Sequence, residues 1–241
     1  VIVTGGVRGL GRALVDLLLA KDAKVSVFDL DGSELKRLSE ERQIHGAQCD
    51  LADYDQVLNA TEEYYKQFGA PDVLVNNAGI LYSAPLLKLG AAGIEKHPVE
   101  AWRKVIAADL ESVFFMSACI AEKMVITRTR GVIVNVSSVS AAGNAGQSAY
   151  SAAKAGVNAL TAVWAKELSP MGVRVVGVAP GFTDTESTKQ ALSESALGEV
   201  IKKVPLRRLG RPDEIAAGII SIIENDFFNG KVFQLDGGLV I

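Results

Sequence analysis

Short apolar runs alternate with longer amphipathic stretches along the whole chain. Val1-Ile2-Val3-Thr4 has the length and β-branched content of a buried strand. Leu10, Leu14, Leu17 and Leu18 then fall at i, i+4, i+7 and i+8, one stripe of a helix. The same alternation recurs. Lys24–Asp29 predicts a second strand and Ser33–Arg42 an exposed helix. Ala47–Asp50 predicts a third strand, and Asp53 is placed to cap a helix that runs to about Phe68. Asp72–Val75 predicts a fourth strand, closed by Asn76-Asn77-Ala78-Gly79. Leu81–Val99 carries Pro85, Gly90, Gly93 and Pro98 and reads as a long connection, of the kind that borders binding sites. Trp102–Lys123 predicts one long apolar helix, and Gly131–Ser137 a fifth strand. The Ala- and Leu-rich segment around Tyr150 predicts a helix, stopped by Pro170-Met171-Gly172. Val173–Ala179 predicts strand six. Thr188–Arg211 is polar and reads as a mobile surface segment or a lid, and Pro212 opens another helix. Lys231–Leu235 predicts strand seven, with a turn at Gly237-Gly238. Strands alternating with helices from end to end predict an α/β fold: one domain over residues 1–241 with a doubly wound parallel sheet.

Composition narrows the partners. The chain has 241 residues, 49% of them hydrophobic, enough for a full-sized core. A net charge of −3 gives no electrostatic reason to expect nucleic acid or an anionic membrane. Cys49 and Cys119 are far apart and lack metal-ligand spacing, so they read as buried thiols of a reducing compartment, and no metal site is expected. His45 and His97 belong to no motif and read as structural or surface residues. No apolar run is long enough to span a bilayer. The chain opens without Met on an apolar strand. Its first residue is therefore expected to lie a few residues into the native protein, and a removed targeting segment stays open.

Two stretches carry candidate chemistry. The first is Thr4-Gly5-Gly6-Val7-Arg8-Gly9-Leu10-Gly11, between a strand and a helix. Glycines let backbone approach a pyrophosphate, and a helix N-terminus offers free N–H groups and a positive dipole end. Taken alone, such a loop is also a common tight turn. The next element adds weight. Asp29 ends the second strand 18 residues after Gly11, about where a dinucleotide-binding unit places a carboxylate on the adenosine ribose. That carboxylate would accept hydrogen bonds from ribose hydroxyls and repel a 2′-phosphate, favouring NAD over NADP. Arg8 pulls the other way, as a potential 2′-phosphate ligand.

The second stretch runs from Ser137-Ser138 to Tyr150-x-x-x-Lys154. On a helix, i and i+4 side chains share a face, so the phenol and the ammonium lie side by side. A nearby cation favours the phenolate. Lowering a phenol by about 3 units would need roughly 4 kcal/mol of differential stabilisation, so a second positive charge, such as an oxidised nicotinamide, is expected to help Lys154. A serine hydroxyl at the strand end could hold a substrate oxygen.

Together these residues resemble the short-chain dehydrogenase/reductase family over essentially the whole chain. Thr4-Gly5-x-x-x-Gly9-x-Gly11 is similar to its cofactor loop, Asn76-Asn77-Ala78-Gly79 to its mid-sheet motif, Tyr150-x-x-x-Lys154 to its catalytic pair and Pro180-Gly181 to its nicotinamide turn. The resemblance implies a seven-stranded Rossmann sheet and interconversion of a secondary alcohol and a ketone. It implies Tyr150 as general acid/base, Lys154 as its partner and a serine that orients the substrate. It places Gly5, Gly9, Leu10, Gly11, Asp29, Ala78 and Gly79 around the cofactor, with Asp50 and Leu51 near the adenine, Asn77 on the adenosine side and Thr185 at the nicotinamide amide. It also implies a homotetramer, and a cytoplasmic protein, or a mitochondrial matrix one if eukaryotic.

Within the family, Val204–Pro212 and Ile222–Val232 look like type-2 3-hydroxyacyl-CoA dehydrogenases, whereas Gly143-Asn144-Ala145-Gly146-Gln147 looks like 3-oxoacyl-carrier-protein reductases. The leading expectation is an NAD-dependent 3-hydroxyacyl thioester dehydrogenase. The alternatives are an NADPH-dependent 3-oxoacyl-carrier-protein reductase, a hydroxysteroid dehydrogenase and a non-catalytic dinucleotide sensor. Two departures matter. The family serine usually precedes the tyrosine by 13 residues; Ser137 is 13 before Tyr150 and Ser138 is 12 before it. The strand pattern favours Ser138 and leaves Ser137 open. Asp109 stands where the family usually has Asn, and its carboxylate is expected to point away from Lys154.

Overall fold

The computed structural model describes residues 1–90, 93–191 and 194–239, without the side chains of 191, 194 and 195. The chain opens with β1 (Ile2–Thr4), α1 (Gly9–Leu19), β2 (Ser26–Asp29), α2 (Gly32–Arg42), β3 (His45–Gln48), α3 (Tyr54–Phe68) and β4 (Val73–Asn76). A hairpin of β5 (Leu87–Gly90) and β6 (Gly93–Lys96) follows. Then come α4 (Val99–Ile106), a π-helical turn (Ala107–Glu111), α5 (Ser112–Thr127), β7 (Val132–Val136) and α6 (Ser148–Leu168). The chain ends with β8 (Arg174–Pro180), α7 (Glu186–Ala191), α8 (Glu194–Lys203), α9 (Pro212–Glu224) and β9 (Val232–Leu235).

Seven strands form one parallel sheet in the order β3-β2-β1-β4-β7-β8-β9, the doubly wound α/β arrangement that the alternation of elements predicts. Helices cover both faces because successive strand residues point to opposite sides and both are apolar. Ile2, Phe28, Leu74, Ile133 and Val175 pack on one face with Val57 of α3 and Met116 and Ile120 of α5. Their neighbours Val3, Val27, Val75, Val134 and Val176 pack on the other with Leu14 of α1 and Ile219 of α9. Burying each such side chain contributes about 1.5–3 kcal/mol. Ile133 is 0% exposed, so Ile133→Val should cost about 0.5–1.5 kcal/mol. A melting curve should show a drop of roughly 2–4 °C per kcal/mol, and an unchanged midpoint would mean that the site relaxes fully.

A polar chain crosses this apolar interior. Asn76 donates to Ser117 Oγ (2.9 Å) and Asn135 Oδ1 (2.9 Å), and Asn135 donates to Thr161 Oγ1 (2.9 Å). It fixes α5 and α6 against the ends of β4 and β7, and so orients the helix that carries Tyr150. β1 and β4 are neighbours, yet the chain leaves β1 towards β2 and leaves β4 towards β7. The loops that follow these two strands diverge and open a crevice at the carboxyl edge, the ligand position in open α/β sheets.

Three expectations are corrected. The third strand is His45–Gln48, two residues earlier than its apolar pattern suggested. It is a half-exposed edge strand, and its register is set by pairing with β2 and by His45 stacking on Phe68 at 5.0 Å. Leu81–Val99 contains the β5–β6 hairpin rather than only irregular connection. The helix expected over Trp102–Lys123 starts at Val99, widens into a π-turn at Ala107–Glu111 and ends at Thr127. Apolar spacing does not register a single wide turn. Thr188–Arg211 contains part of α7 and all of α8; residues 192 and 193 lie outside the described residues. Asp53 does cap α3, accepting from Asp55 N (3.0 Å) and Gln56 N (3.2 Å). Among the described residues no helix is long and apolar enough to cross a membrane.

Candidate active site

The crevice at the switch point is a cavity of about 610 Å³. Every residue singled out for catalysis or cofactor binding lines it: Gly5, Gly9, Leu10, Gly11, Asp29, Asp50, Leu51, Asn77, Ala78, Gly79, Ser138, Tyr150, Lys154, Pro180, Gly181 and Thr185. Ser137 lines it too. They end or follow six different strands, so only the sheet brings them together.

The glycine loop is locked from behind. Thr4 Oγ1 accepts from Asn77 N (2.9 Å) and Ala78 N (3.0 Å), and Asn77 Nδ2 donates to Thr4 O (3.0 Å) and Gly5 O (3.0 Å). The Asn77 amide nitrogen is thus spent on the loop, which holds the two diverging connections together. Gly11 has no room for a side chain: a Cβ there would meet Gly5 O and Asn77 Nδ2. α1 begins with no side-chain cap, so its first N–H groups face the cavity unclaimed by a capping side chain. Such a helix start is suited to an anion.

Asp29 ends β2 and is 8% exposed. Its Oδ2 accepts from Val7 N (3.2 Å) and its Oδ1 from Asp31 N (3.1 Å). The carboxylate is thereby fixed beside the glycine loop. Asp31 lies close by, its carboxyl held below the ordinary range first by the Ser33 hydroxyl and further by backbone N–H groups and the Arg8 charge. Arg8, which the sequence leaves as a possible phosphate ligand, therefore already acts electrostatically on an acid. Cys49 also lines the cavity, but burial pushes its thiol up to about 11, so it stays protonated.

The second cluster lies across the cavity. Ser137 Oγ donates to Lys154 O (3.2 Å), which commits that hydroxyl to the backbone of α6. Ser138 Oγ accepts from Ser140 N (3.1 Å) and lies near enough to Tyr150 to pull its phenol down slightly. Of the two serines, Ser138 is the one facing the phenol. Lys154 Nζ sits 5.6 Å from the centre of the Tyr150 ring and donates to Val136 O (3.1 Å). In the protein alone burial pushes the Tyr150 phenol above its ordinary value, against the pull of Lys154. The lysine by itself does not make a phenolate at neutral pH.

Asp109 departs from expectation. Its side chain points at Lys154 rather than away, with Oδ1 3.3 Å from Nζ, and it is 0% exposed. Both its oxygens also accept from Ile80 N, each at 3.2 Å. The reason is local: the π-turn directs residue 109 inward, and Gly79 leaves the space, since a Cβ there would strike Asp109 Oδ1. Sequence reasoning also passed over Ile80, Leu81, Thr183, Ser187 and Gln190, which line the cavity. The Asn-Asn-Ala-Gly turn before Ile80 was the available signal for that residue. The others lie beyond the strand ends, where no motif marks them.

A nucleotide-binding crevice facing a Ser-Tyr-Lys cluster on a doubly wound sheet defines a class of dinucleotide-dependent oxidoreductases. Residues 1–196 match the short chain dehydrogenase family model, and the chain belongs to that family of oxidoreductase enzymes. It is 37% identical to a 3-oxoacyl-[acyl-carrier-protein] reductase of Thermotoga maritima, over all of this chain and 97% of that protein. It is 34% identical to a sorbitol-6-phosphate 2-dehydrogenase of Klebsiella pneumoniae, over 99% of this chain and 94% of that one. Among solved structures it superposes on a 3-hydroxyacyl-CoA dehydrogenase type-2 from Mycobacterium avium with a TM-score of 0.87 and 31% identity, covering 100% of this chain and 95% of that one.

Proposed function

We propose that this enzyme interconverts a 3-oxoacyl thioester and its 3-hydroxyacyl counterpart, with NAD(H) as the dinucleotide. The observation that carries the reading is a single cleft holding Asp29 and the glycine loop at one end and Ser138, Tyr150 and Lys154 at the other. The acyl-carrier-protein thioester is the favoured substrate, because carrier-protein reductases match this chain at 32–37% identity over nearly the full length of both. The coenzyme A thioester, which the tail residues suggested, is the second reading and draws on the Mycobacterium avium structure.

The residues present fit a dinucleotide. The uncapped start of α1 and the crowded Gly11 suit a pyrophosphate, and the buried, immobilised Asp29 suits ribose hydroxyls. When bound, the nicotinamide supplies or accepts the hydride. The protein's part is to hold and move a proton. Ser138 and Tyr150 would hold the substrate oxygen between them, and the phenol would give its proton to that oxygen during carbonyl reduction and take it back in the reverse direction. A phenol raised by burial is in the form that reduction needs. The test is a panel of acetoacetyl-carrier-protein, acetoacetyl-CoA, a hydroxysteroid and a sugar alcohol against NADH and NADPH or their oxidised forms. Dinucleotide binding without turnover of any substrate would refute the reading, and turnover confined to steroid or sugar would refute the thioester.

Self-association belongs to the same reading. The α5 and α6 surfaces expose Phe114 and Val163 and carry an apolar groove of about 340 Å³ that includes Trp164, Val125 and Leu168. An exposed patch of this kind suits an interface. Phe114→Glu should lower the oligomer mass measured by light scattering, and an unchanged mass would exclude this face.

A further inference from the structure

A carboxylate stands where the proposed acid/base pair leaves no task for it. Asp109 is fully buried, and its Oδ1 lies 3.3 Å from Lys154 Nζ. Lys154 is itself 4% exposed, and it also donates to the neutral carbonyl of Val136, at 3.1 Å. The ammonium thus has one charged partner and one neutral hydrogen-bond acceptor. We propose that Asp109 is a positioning residue for the acid/base pair: its carboxylate holds the Lys154 ammonium and offsets its charge, which leaves the Tyr150 phenol in its proton-donating form.

Among the described residues, the charges acting on the trio are its own. α6 contributes Lys154 and Tyr150, and the π-turn contributes Asp109. The connection after β4 contributes only the Ile80 N–H, β7 only the Val136 carbonyl, and the strand end only the Ser138 hydroxyl, all neutral. With the cation and its carboxylate both buried, cancelling the one cation matters, because little solvent screens it. The directions agree with this. Burial pushes the phenol up and the Asp109 charge pushes it further, while Lys154 pulls it down. Asp109 also holds the lysine above its ordinary value despite burial, and although burial pushes the Asp109 carboxyl itself up, the Lys154 charge and the Ile80 N–H pull it back toward its charged form. An amide in this position would keep an acceptor for Lys154 and for Ile80 N–H but remove the negative charge.

The sign of the consequence follows. Alcohol oxidation needs the phenolate, so its rate rises as pH passes the ionisation of Tyr150. Carbonyl reduction needs the phenol and falls over the same range. With Asp109 in place this boundary lies high. The inference rests on the proposed role of Tyr150, so the test reads the phenol directly as well as the rate. Tyrosinate absorbance is titrated in the full chain and in Asp109→Asn, each with Tyr150→Phe subtracted, beside the pH profile of kcat/KM for 3-hydroxyacyl thioester oxidation. Asp109→Asn should move the Tyr150 ionisation down by about one pH unit, a tenfold change in proton affinity, and the rising limb of oxidation should move with it. Asp109→Ser, which also removes the charge, should shift it in the same direction and keeps the test open if one variant folds poorly. A titration that moves by less than half a unit, or upward, overturns the inference. A shifted titration with an unmoved rate profile supports the charge effect and instead refutes Tyr150 as the proton carrier.

Discussion

Tyr150→Phe should bind dinucleotide with little change and lose turnover by about 10²–10⁴-fold, the contribution of a positioned general acid or base. The ring volume is nearly unchanged, and Lys154 keeps its contacts with Val136 O and Asp109. The loss should therefore appear in kcat rather than in stability or in cofactor affinity. Steady-state rates beside a binding titration check this, and a pure variant that retains turnover would remove Tyr150 from the mechanism. The serines divide in parallel. Ser138→Ala removes the hydroxyl that faces the phenol and should be nearly as damaging. Ser137→Ala removes a bond to the backbone of α6 and should act mainly on stability, at about 0.5–1.5 kcal/mol for one hydrogen bond. A reversal of these two outcomes would place Ser137 at the substrate.

Asp29→Ala should erase a preference for NAD of at least about tenfold in kcat/KM, a difference of about 1.4 kcal/mol. The wild-type carboxylate is held by Val7 N and Asp31 N, so it cannot swing aside for a 2′-phosphate. Hydrogen bonds to a charged group are worth about 1.5–3 kcal/mol. A 2′-phosphate would remove one ribose donor and add like charge. Loss of the carboxylate would leave Arg8 and Asp31 as the charges near the ribose end, with Arg8 freer to attract NADP. Equal use of the two cofactors by the unmodified protein would show that the carboxylate is not at the ribose.

The relatives shift the weight of the substrate reading. Val204–Pro212 and Ile222–Val232 suggested a coenzyme A thioester, whereas Gly143–Gln147 pointed to carrier-protein reductases, and the curated relatives favour the latter. Tail segments outside the cavity report kinship within the family more than they report what the cleft accepts.

The amino-acid sequence by itself determined the order of the seven strands of the parallel sheet and of the main helices between them, because β-branched runs and 3.6-residue stripes are local patterns. It also determined the chemical kit, because the glycine loop, Asp29 and the Tyr150–Lys154 pair are each contained within one strand–loop–helix unit or one helical turn. The edge strand His45–Gln48 was displaced because half-exposed residues carry little apolar signal and pairing with β2 sets its limits. Tertiary structure alone decided the rest. It separated Ser137 from Ser138 through a hydrogen bond from Ser137 to a helix that starts eleven residues further on. It turned Asn77 into a brace for a loop 72 positions away. It also brought Asp109 onto Lys154, where spacing suggested no contact. That contact needs a wide helical turn, a missing side chain at Gly79 and an N–H from Ile80, three features on two segments that only the folded sheet sets side by side.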